Sequence, residues 1–544
     1  MCNSWSKPSL QPANYGDHSM SEAQPATSPA VPPSATAAPE PPLFELTHVL
    51  RGHTSDVRAV ATTFDQLSER EALLSGSRDE TATCWSRPSP SSSEPSQSAP
   101  SFDKGASFQG KRFCNAVDFV PPSPAFGLPR GQILMGSLDS QIRCFDPLRS
   151  DKPLQVLSDH WDNISVLKAY SYHVRHQAEQ LDEPPVFISA SWDKTARVWI
   201  WDPTLATWST KFVLRGHDEA VWGVQIVQPP SMTASEAESG ASQQGRYLTS
   251  SADLFIRLFH GEQLHAVYAG HTDVVRSLHV LPQLPPTSGQ DGKATAPADA
   301  NPTYYPNEPL FASTSNDGTI RIWSLDARRS PTPGNGGEAL QILRGHESLV
   351  YDVAAFIERD TAQPRLVSSG EDGTFRVWNW ASGELIQTVA VPVISVWSIA
   401  ILPESHDVVV GCSDALVRVY SSHPPASASL SDSDFHGAPL SASEAAFEAQ
   451  KASDIQQQRQ LDVQADHADS SSVEQQCNAE GQEYQGERYD FVLRIDVSDD
   501  AEPLPLPINR ADDRRQVASD FVALHKLPES YVDKILDFVN LVLG

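Results

Sequence analysis

The chain has 544 residues, of which 39% are hydrophobic, and its 43 prolines are more than one compact fold would hold. We therefore expect several domains joined by linkers. The formal net charge of −29 argues against nucleic acids and anionic membranes as partners, because phosphate contacts need lysine and arginine. No apolar run could span a membrane, and residues 1–42 have no signal-peptide core. We expect a monomer in the cytoplasm or the nucleus, without membrane insertion.

Residues 1–42 are rich in proline, serine and alanine and are predicted to be disordered. After them, one unit recurs seven times between residues 43 and 422. Each copy contains an aspartate with an aromatic residue six positions later. A fixed offset kept over seven copies indicates a repeat architecture. The pairs are Asp79 and Trp85, Asp139 and Phe145, Asp193 and Trp199, Asp253 and Phe259, Asp317 and Trp323, Asp372 and Trp378, and Asp414 and Tyr420.

Five of the seven repeats also carry a histidine upstream and a serine or threonine four residues before the aspartate. Repeats 2 and 7 have Met135 and Val410 at the hydroxyl position and lack the histidine. Because hydroxyl and imidazole occur together, we predict a buried hydrogen-bond network in each of the five repeats. A catalytic or metal-binding interpretation is disfavoured, since every histidine falls in a different repeat. The predicted networks are His53, Ser75, Asp79 and Trp85; His160, Ser189, Asp193 and Trp199; His217, Thr249 and Asp253; His271, Ser313, Asp317 and Trp323; and His346, Ser368, Asp372 and Trp378.

The repeats resemble the WD-repeat family. The residues that carry this resemblance are the R-G-H at 51–53, 215–217 and 344–346, and S-W-D-K-T-A-R-V-W at 191–199. The resemblance implies a mainly β fold, a seven-bladed propeller over residues 43–422, in which each histidine network is structural. The strand-like residues 43–50 precede the first repeat, and we expect them to complete the last blade, which removes exposed sheet edges.

Loop lengths indicate which face of the propeller meets partners. The long insertions follow the first or the third strand of a repeat and therefore share one face. The opposite face, formed by the Gly-His and Asp turns and here called the compact face, stays short. Its inner ring is rich in Trp, Tyr and Arg, the residues of binding hot spots, although some of these aromatics could merely pack the channel rim. The candidate partner-binding residues are Arg58, Arg78, Trp192, Trp222, Arg276, Tyr351 and Trp397.

Residues 423–486 are polar and acidic and are predicted to form a disordered linker, with a composition that allows a short helix around 441–460. Residues 487–544 are predicted to form a small α+β domain, with a strand after Tyr489, a helix over 511–526 and another from Pro528. Phe521, Leu524, Leu527 and Tyr531 cluster around the turn between the helices. They could offer an apolar patch to a partner or form the core of this small domain, and for Phe521 both interpretations stay open.

The C-terminal segment resembles the PFU domain, the ubiquitin-binding module of the phospholipase A-2-activating protein family. The matching stretches are Y-D-F-V-L-R-I-D-V at 489–497, L-P-I-N at 506–509 and L-P-E-S-Y-V-D-K-I-L-D-F at 527–538. The resemblance implies a ubiquitin-binding adaptor in protein degradation and sorting, with ubiquitin or ubiquitylated proteins as partners. Family members end in a PUL domain that docks on the valosin-containing AAA ATPase. This sequence ends at Gly544 before such a domain, so that partner is implied by the resemblance alone.

Two other classes of function, a scaffold and an enzyme, are relevant to this sequence. A generic WD-repeat scaffold that binds another protein or a peptide is the alternative to a ubiquitin adaptor. An enzyme is not expected, because the sequence contains no G-x-S-x-G elbow, no P-loop and no kinase motif set. The six cysteines form no C-x-x-C pair and have no histidine at zinc spacing, so we expect neither a metal nor a cofactor.

Overall fold

The fold is taken from a computed structural model of the chain. It describes residues 44–65, 68–89, 100–149, 152–170, 184–228, 244–284, 309–326, 337–359, 361–423, 438–476, 482–484, 487–495, 504–510, 512–526, 531–532, 535–536 and 539. The predicted disorder of residues 1–42 lies outside these ranges. None of the described helices combines the length and the apolar character needed to cross a membrane.

In these ranges the strands form seven four-stranded antiparallel sheets, the blades of a β-propeller. The first strand, β1 (Glu45–Leu50), belongs to the last blade. Blade 1 contains β2 (Val57–Asp65), β3 (Arg70–Ser77), β4 (Thr81–Pro88) and β5 (Asp103–Gln109); blade 2 contains β6 (Cys114–Val120), β7 (Gln132–Ser137), β8 (Ile142–Phe145) and β9 (Gln155–Leu157). Blade 3 contains β10 (Ile164–Ala169), β11 (Val186–Ser191), β12 (Ala196–Asp202) and β13 (Thr207–Leu214); blade 4 contains β14 (Val221–Gln228), β15 (Arg246–Ser251), β16 (Ile256–His260) and β17 (Gln263–Tyr268).

The remaining blades follow the same order from the inner to the outer strand. Blade 5 contains β18 (Val275–Val280), β19 (Leu310–Ser315), β20 (Thr319–Ser324) and β21 (Gln341–Arg344); blade 6 contains β22 (Val350–Ile357), β23 (Pro364–Gly370), β24 (Thr374–Asn379) and β25 (Glu384–Ala390). Blade 7 contains β26 (Val396–Ile401), β27 (Val408–Cys412) and β28 (Val417–Ser421), with β1 as its outer strand. A 3₁₀ turn, Pro124–Phe126, lies between β6 and β7.

The ring closes where the first and last blades meet. The inner strands of successive blades contact each other, and β26 contacts β2. The pairing of β1 with β28, from Glu45 opposite Ser421 to Leu50 opposite Val417, confirms that the N-terminal strand completes the last blade. A buried ion cluster joins the same two blades. Arg87 Nη2 donates to Glu71 at 2.9 Å and to Asp407 at 2.6 Å.

The hydrophobic core lies between neighbouring blades. The middle strands are buried along their whole length, as in β11 and β23, so they read as near-continuous apolar or small-residue runs. The aromatic residue of each repeat packs into this layer, and Trp85, Trp199, Trp323 and Trp378 are among the largest fully buried side chains. Each blade therefore depends on its neighbours for burial, as expected of a repeat fold.

The first helix, α1 (Ala442–Gln476), lies within the predicted linker of 423–486 and is longer than the short helix expected around 441–460. It begins with a capping box: Ser441 N–H donates to Glu444 Oε2 at 2.9 Å, and Glu444 N–H donates to Ser441 Oγ at 3.3 Å. Its sequence is rich in alanine and glutamine, which have high helix propensity. Ala452 is buried, and the ion pair of Glu448 with Arg418 in blade 7 holds this polar segment against the propeller.

The C-terminal segment contains two short hairpins and a helix. Its strands are β29 (Gln482–Tyr484), β30 (Glu487–Tyr489), β31 (Phe491–Ile495) and β32 (Leu504–Ile508), and β31 pairs with β32. Helix α2 (Arg514–Leu524) is capped by Asp513, whose carboxylate accepts from two backbone N–H groups. Residues 531–532, 535–536 and 539 are also helical, whereas Pro528 lies outside the described residues. Phe521, Ile535 and Val539 share a small core with β32.

Candidate partner-binding surface

Five histidine networks fix the turns that form the compact face. In each, histidine Nδ1 lies 2.6 to 2.9 Å from an aspartate oxygen. Histidine Nε2 lies 2.7 to 2.8 Å from the serine or threonine hydroxyl. In four of them the tryptophan Nε1–H donates to the same hydroxyl at 2.8 to 3.1 Å. The fifth contains Phe259, and Thr249 there lacks an indole donor.

The networks have a defined direction of proton donation. An indole can only donate, so in blade 3 the Ser189 hydroxyl accepts from Trp199 and donates to His160 Nε2. The Nδ1–H of His160 then donates to Asp193. Burial lowers the pKa of His160, which keeps the ring neutral, as this arrangement requires. Burial alone would raise the pKa of Asp193, but the contacts with His160 and Thr195 together lower it below its usual range.

The two blades without a histidine stabilise their Asp turn with an arginine. In blade 2, Arg143 forms two hydrogen bonds with Asp139, at 3.1 and 2.5 Å. In blade 7, Arg418 does the same with Asp414, at 2.9 and 2.8 Å. A bidentate guanidinium–carboxylate pair is a strong charge-assisted contact. Every blade thus has a partner for its turn aspartate, and the compact face is held in place around the whole ring.

The seven predicted ring residues all line one cavity of about 320 Å³ at the centre of the compact face. Aromatic and guanidinium groups stack there in pairs. The Cζ of Arg58 lies 3.6 Å from the ring centroid of Trp397, and that of Arg276 lies 4.2 Å from the centroid of Trp222. Tyr351 stacks on Trp397 with centroids 4.7 Å apart. The ring residues therefore form one continuous surface, in which the aromatics support the arginines.

The compact face carries a set of exposed apolar side chains, of which Trp192 was predicted from the sequence and the others were not. They lie in blades 2, 3 and 4, either in the turn that precedes the inner strand or in the Asp turn. Trp161 directly follows His160 and is 71% exposed. A large apolar residue at such a turn, where polar residues are the rule, is the signal that could have identified them. We call this set the apolar arc: Phe113, Leu138, Trp161, Trp192, Leu254 and Phe255.

In the C-terminal segment the four predicted patch residues have different surroundings. Phe521 is 4% exposed and packs in the core, which answers the open question about its role in favour of core packing. Tyr531 is partly buried against the same core. Leu524 is 76% exposed at the end of α2, and Leu527 lies outside the described residues. Of the three that are described, Leu524 is the one fully available to a partner.

Comparisons with known proteins match both parts of the chain. Residues 463–542 match the family described as PFU (PLAA family ubiquitin binding). Residues 44–86, 151–199, 301–324 and 337–379 match the WD domain, G-beta repeat. The PFU match begins within α1, earlier than the predicted domain boundary at 487. No cluster of three or more metal-binding side chains occurs in the part of the chain that the structure describes.

Relatives are found over almost the whole chain. The ubiquitin homeostasis protein lub1 of Schizosaccharomyces pombe is 29% identical over 91% of this chain and 60% of its own length. The phospholipase A-2-activating protein of Xenopus laevis is 31% identical over 34% of this chain and 19% of its own length. The crystal structure of the WD40 propeller domain of Doa1 is 28% identical, with a TM-score of 0.49, and covers 70% of this chain and 97% of that one. This chain spans less than two thirds of the length of the curated relatives it matches.

The repeats, the seven blades and the C-terminal match define a WD-repeat β-propeller protein with a PFU domain. Together these matches support assigning the chain to the phospholipase A-2-activating protein (PLAA) family.

Proposed function

We propose that this protein binds ubiquitin or ubiquitylated proteins and acts as an adaptor in ubiquitin-dependent degradation and sorting. The observation that carries the proposal is the apolar arc, which lies on three adjacent blades of a chain whose residues 463–542 match a ubiquitin-binding family. A cluster of exposed apolar side chains on a charged protein is typical of a protein interaction site. The name of the lub1 relative, a ubiquitin homeostasis protein, agrees with this role.

The distribution of exposed apolar residues favours the compact face over its opposite. Trp161, Trp192 and Phe255 contribute aromatic surface there, and aromatic residues dominate interface energetics. Where the structure describes the opposite face, exposed apolar residues such as Leu148 and Leu205 are aliphatic and lie in the connections between third and fourth strands. The compact face is therefore the better candidate for contact with a folded partner.

A second contact is proposed at Leu524 on α2, within the PFU match. Small apolar patches give weak individual contacts, and two such contacts on one chain raise the apparent affinity for a ubiquitin chain. A link to the valosin-containing AAA ATPase is proposed only through the family resemblance, since none of the described residues bears on it. The cytoplasm and the nucleus are the compartments in which we expect the protein to act.

Titration of isotope-labelled ubiquitin with the full chain, followed by NMR, tests this proposal. We expect signals of ubiquitin's apolar surface to shift or broaden on addition of the protein, and Trp161→Ala to weaken the effect. Leu205→Ala is the matched control, because Leu205 is 72% exposed but lies on the opposite face. If the ubiquitin spectrum does not change while the protein is folded, the ubiquitin proposal is wrong and a scaffold for another protein remains.

A further inference from the structure

The central cavity of the compact face is basic, although the protein is acidic. Its lining contains Arg58, Arg78, Arg276 and Lys168 but a single acidic residue, Asp352. The carboxylate of Asp352 already accepts hydrogen bonds from the Ser277 hydroxyl at 2.7 Å and from a backbone N–H of β26 at 3.1 Å. The formal net charge of the whole chain is −29. A local excess of positive charge in such a chain would attract an anionic ligand to this cavity.

The three arginines are held in fixed positions by other side chains. Arg276 donates from Nε to Asn316 at 2.8 Å and lies over Trp222. Arg78 pairs with Asp56 at 3.1 Å. Arg58 is supported by Trp397. Because these contacts fix the guanidinium groups before any ligand arrives, little side-chain entropy would be lost on binding.

One donor group of the half-buried Arg58 guanidinium lacks a hydrogen-bond partner among the described residues. Its Nη1 is buried and donates no hydrogen bond to any described residue, and the same holds for the indole Nε1 of Trp397 beneath it. Burial lowers the pKa of Arg58 to about 10, and repulsion from Arg78 contributes to this shift. An unpaired buried donor costs free energy that a ligand acceptor would recover. The two unpaired N–H groups therefore point to a ligand that carries acceptor oxygens.

We propose that this cavity binds an acidic side chain of a polypeptide, whose carboxylate pairs with Arg58 and Arg276 while flanking residues pack on the apolar arc. The volume of about 320 Å³ accommodates more than a carboxylate group and lies within the range of ligand pockets. Phe113, Leu138 and Trp192 line the same cavity and are partly exposed, so apolar neighbours of the acidic residue would be covered. This inference does not depend on the binding of ubiquitin.

The test is fluorescence anisotropy with the full chain and a rhodamine-labelled, C-terminally amidated peptide, Gly-Leu-Glu-Leu-Glu-Leu-Gly. We expect the peptide to bind, its counterpart with Gln in place of both Glu residues to bind about tenfold more weakly, and added salt to weaken binding. Arg276→Gln should reduce the affinity for the Glu peptide about tenfold. Arg58→Gln serves as a second variant, with thermal unfolding used to show that both variants are folded.

Arg130→Gln is the matched control, because Arg130 is 57% exposed and lies in the loop between β6 and β7, away from the cavity. This variant should bind the Glu peptide like the parent protein. Equal affinity for the Glu and Gln peptides, or full affinity in both cavity variants, would overturn the proposal. Inorganic phosphate should not compete with the peptide at low concentration. If a phosphate concentration equal to the Kd of the Glu peptide displaced that peptide, the proposal would also be overturned, since the cavity would then be a site for free anions.

Discussion

Arg418 on β28 and Glu448 on α1 form a buried ion pair, with Arg418 Nη2 and Glu448 Oε2 2.9 Å apart. The same guanidinium pairs with Asp414, so one arginine joins the turn of blade 7 to the helix that follows the propeller. Further along α1, Gln456 Nε2 donates to the carbonyl oxygen of Asp372 at 3.0 Å, and Arg459 donates to the carbonyl oxygen of Ile394. Helix α1 thus packs against blades 6 and 7 and is part of the propeller's structure.

Glu448→Ala should lower the free energy of unfolding by about 1–3 kcal/mol, because Arg418 would lose a buried partner but keep Asp414. Alanine preserves helix propensity, which isolates the lost ion pair. Asp454→Ala is the control, since Asp454 is an exposed carboxylate on the same helix. Urea denaturation measures the difference, and hydrogen exchange should show faster exchange of α1 in Glu448→Ala alone. Equal unfolding free energies in the two variants would contradict the assigned role of the pair.

Ser189→Ala should destabilise the propeller by about 2–4 kcal/mol, because both Trp199 and His160 would lose their hydroxyl partner. Ser209→Ala, an exposed serine in the same blade, should change the unfolding free energy by less than about 0.5 kcal/mol. Chemical denaturation followed by circular dichroism gives both values. The network has no stabilising role if the two variants unfold at the same denaturant concentration.

The unfolding free energy should fall as the pH drops below about 6.5. Burial lowers the pKa of His160, His217 and His271 in the fold from the ordinary value of 6.5, so the unfolded chain binds more protons in this range and stability decreases with acidity. Below pH 3.8 the aspartates add to the loss, because burial is outweighed by the hydrogen bonds and nearby charges together, which lower the pKa of Asp253 and its counterparts.

Denaturation curves between pH 5 and 8 at constant ionic strength measure this dependence. His160→Asn should reduce the slope of unfolding free energy against pH, whereas His423→Asn, which changes an exposed histidine, should leave it unchanged. If the free energy of unfolding rose when the pH was lowered from 7 to 5, the buried histidines would not resist protonation as predicted.

Leu524→Asp should weaken ubiquitin binding through the PFU segment without unfolding the domain, because Leu524 is 76% exposed. An aspartate would place a charge where an apolar contact is proposed. Ser519→Asp adds the same charge at an exposed position of the same helix and should have little effect. Isothermal titration of each full-length variant with ubiquitin compares them. If both variants lost the same amount of ubiquitin affinity, the effect would be a general one of charge. If neither variant lost affinity, Leu524 would not belong to the binding site.

The propeller could be predicted from the sequence because its signals are periodic and local. The six-residue offset between Asp193 and Trp199, for example, arises because Asp193 lies in the turn before β12 and Trp199 lies within that strand. Helix α1 could not be predicted at its full length, since it has no apolar stripe. Its attachment depends on Arg418 and Glu448, which lie in different elements, and such a pair is visible only once the chain has folded.

Of the candidate surface, the positions of the inner ring could be predicted from the sequence, but the exposure of the surrounding side chains could not. Ring positions follow from the repeat register, so Arg58 and Trp397 could be named without a structure. Exposure does not follow from register, and for this reason Trp161 was overlooked. At the C-terminus, helical spacing placed Phe521 and Leu524 close together, but which of them faces the core depends on the packing of α2 against β32.

Site-specific crosslinking tests the central claim, contact between the apolar arc and ubiquitin, most directly. A photoreactive benzoylphenylalanine would replace Trp161 in one protein and Leu205 in another, since both side chains are more than 70% exposed and they lie on opposite faces. After irradiation with ubiquitin, we predict a crosslinked product from position 161 and none from position 205. The absence of a product at 161, or equal yields at both positions, would contradict the assignment of the compact face as the ubiquitin-binding surface.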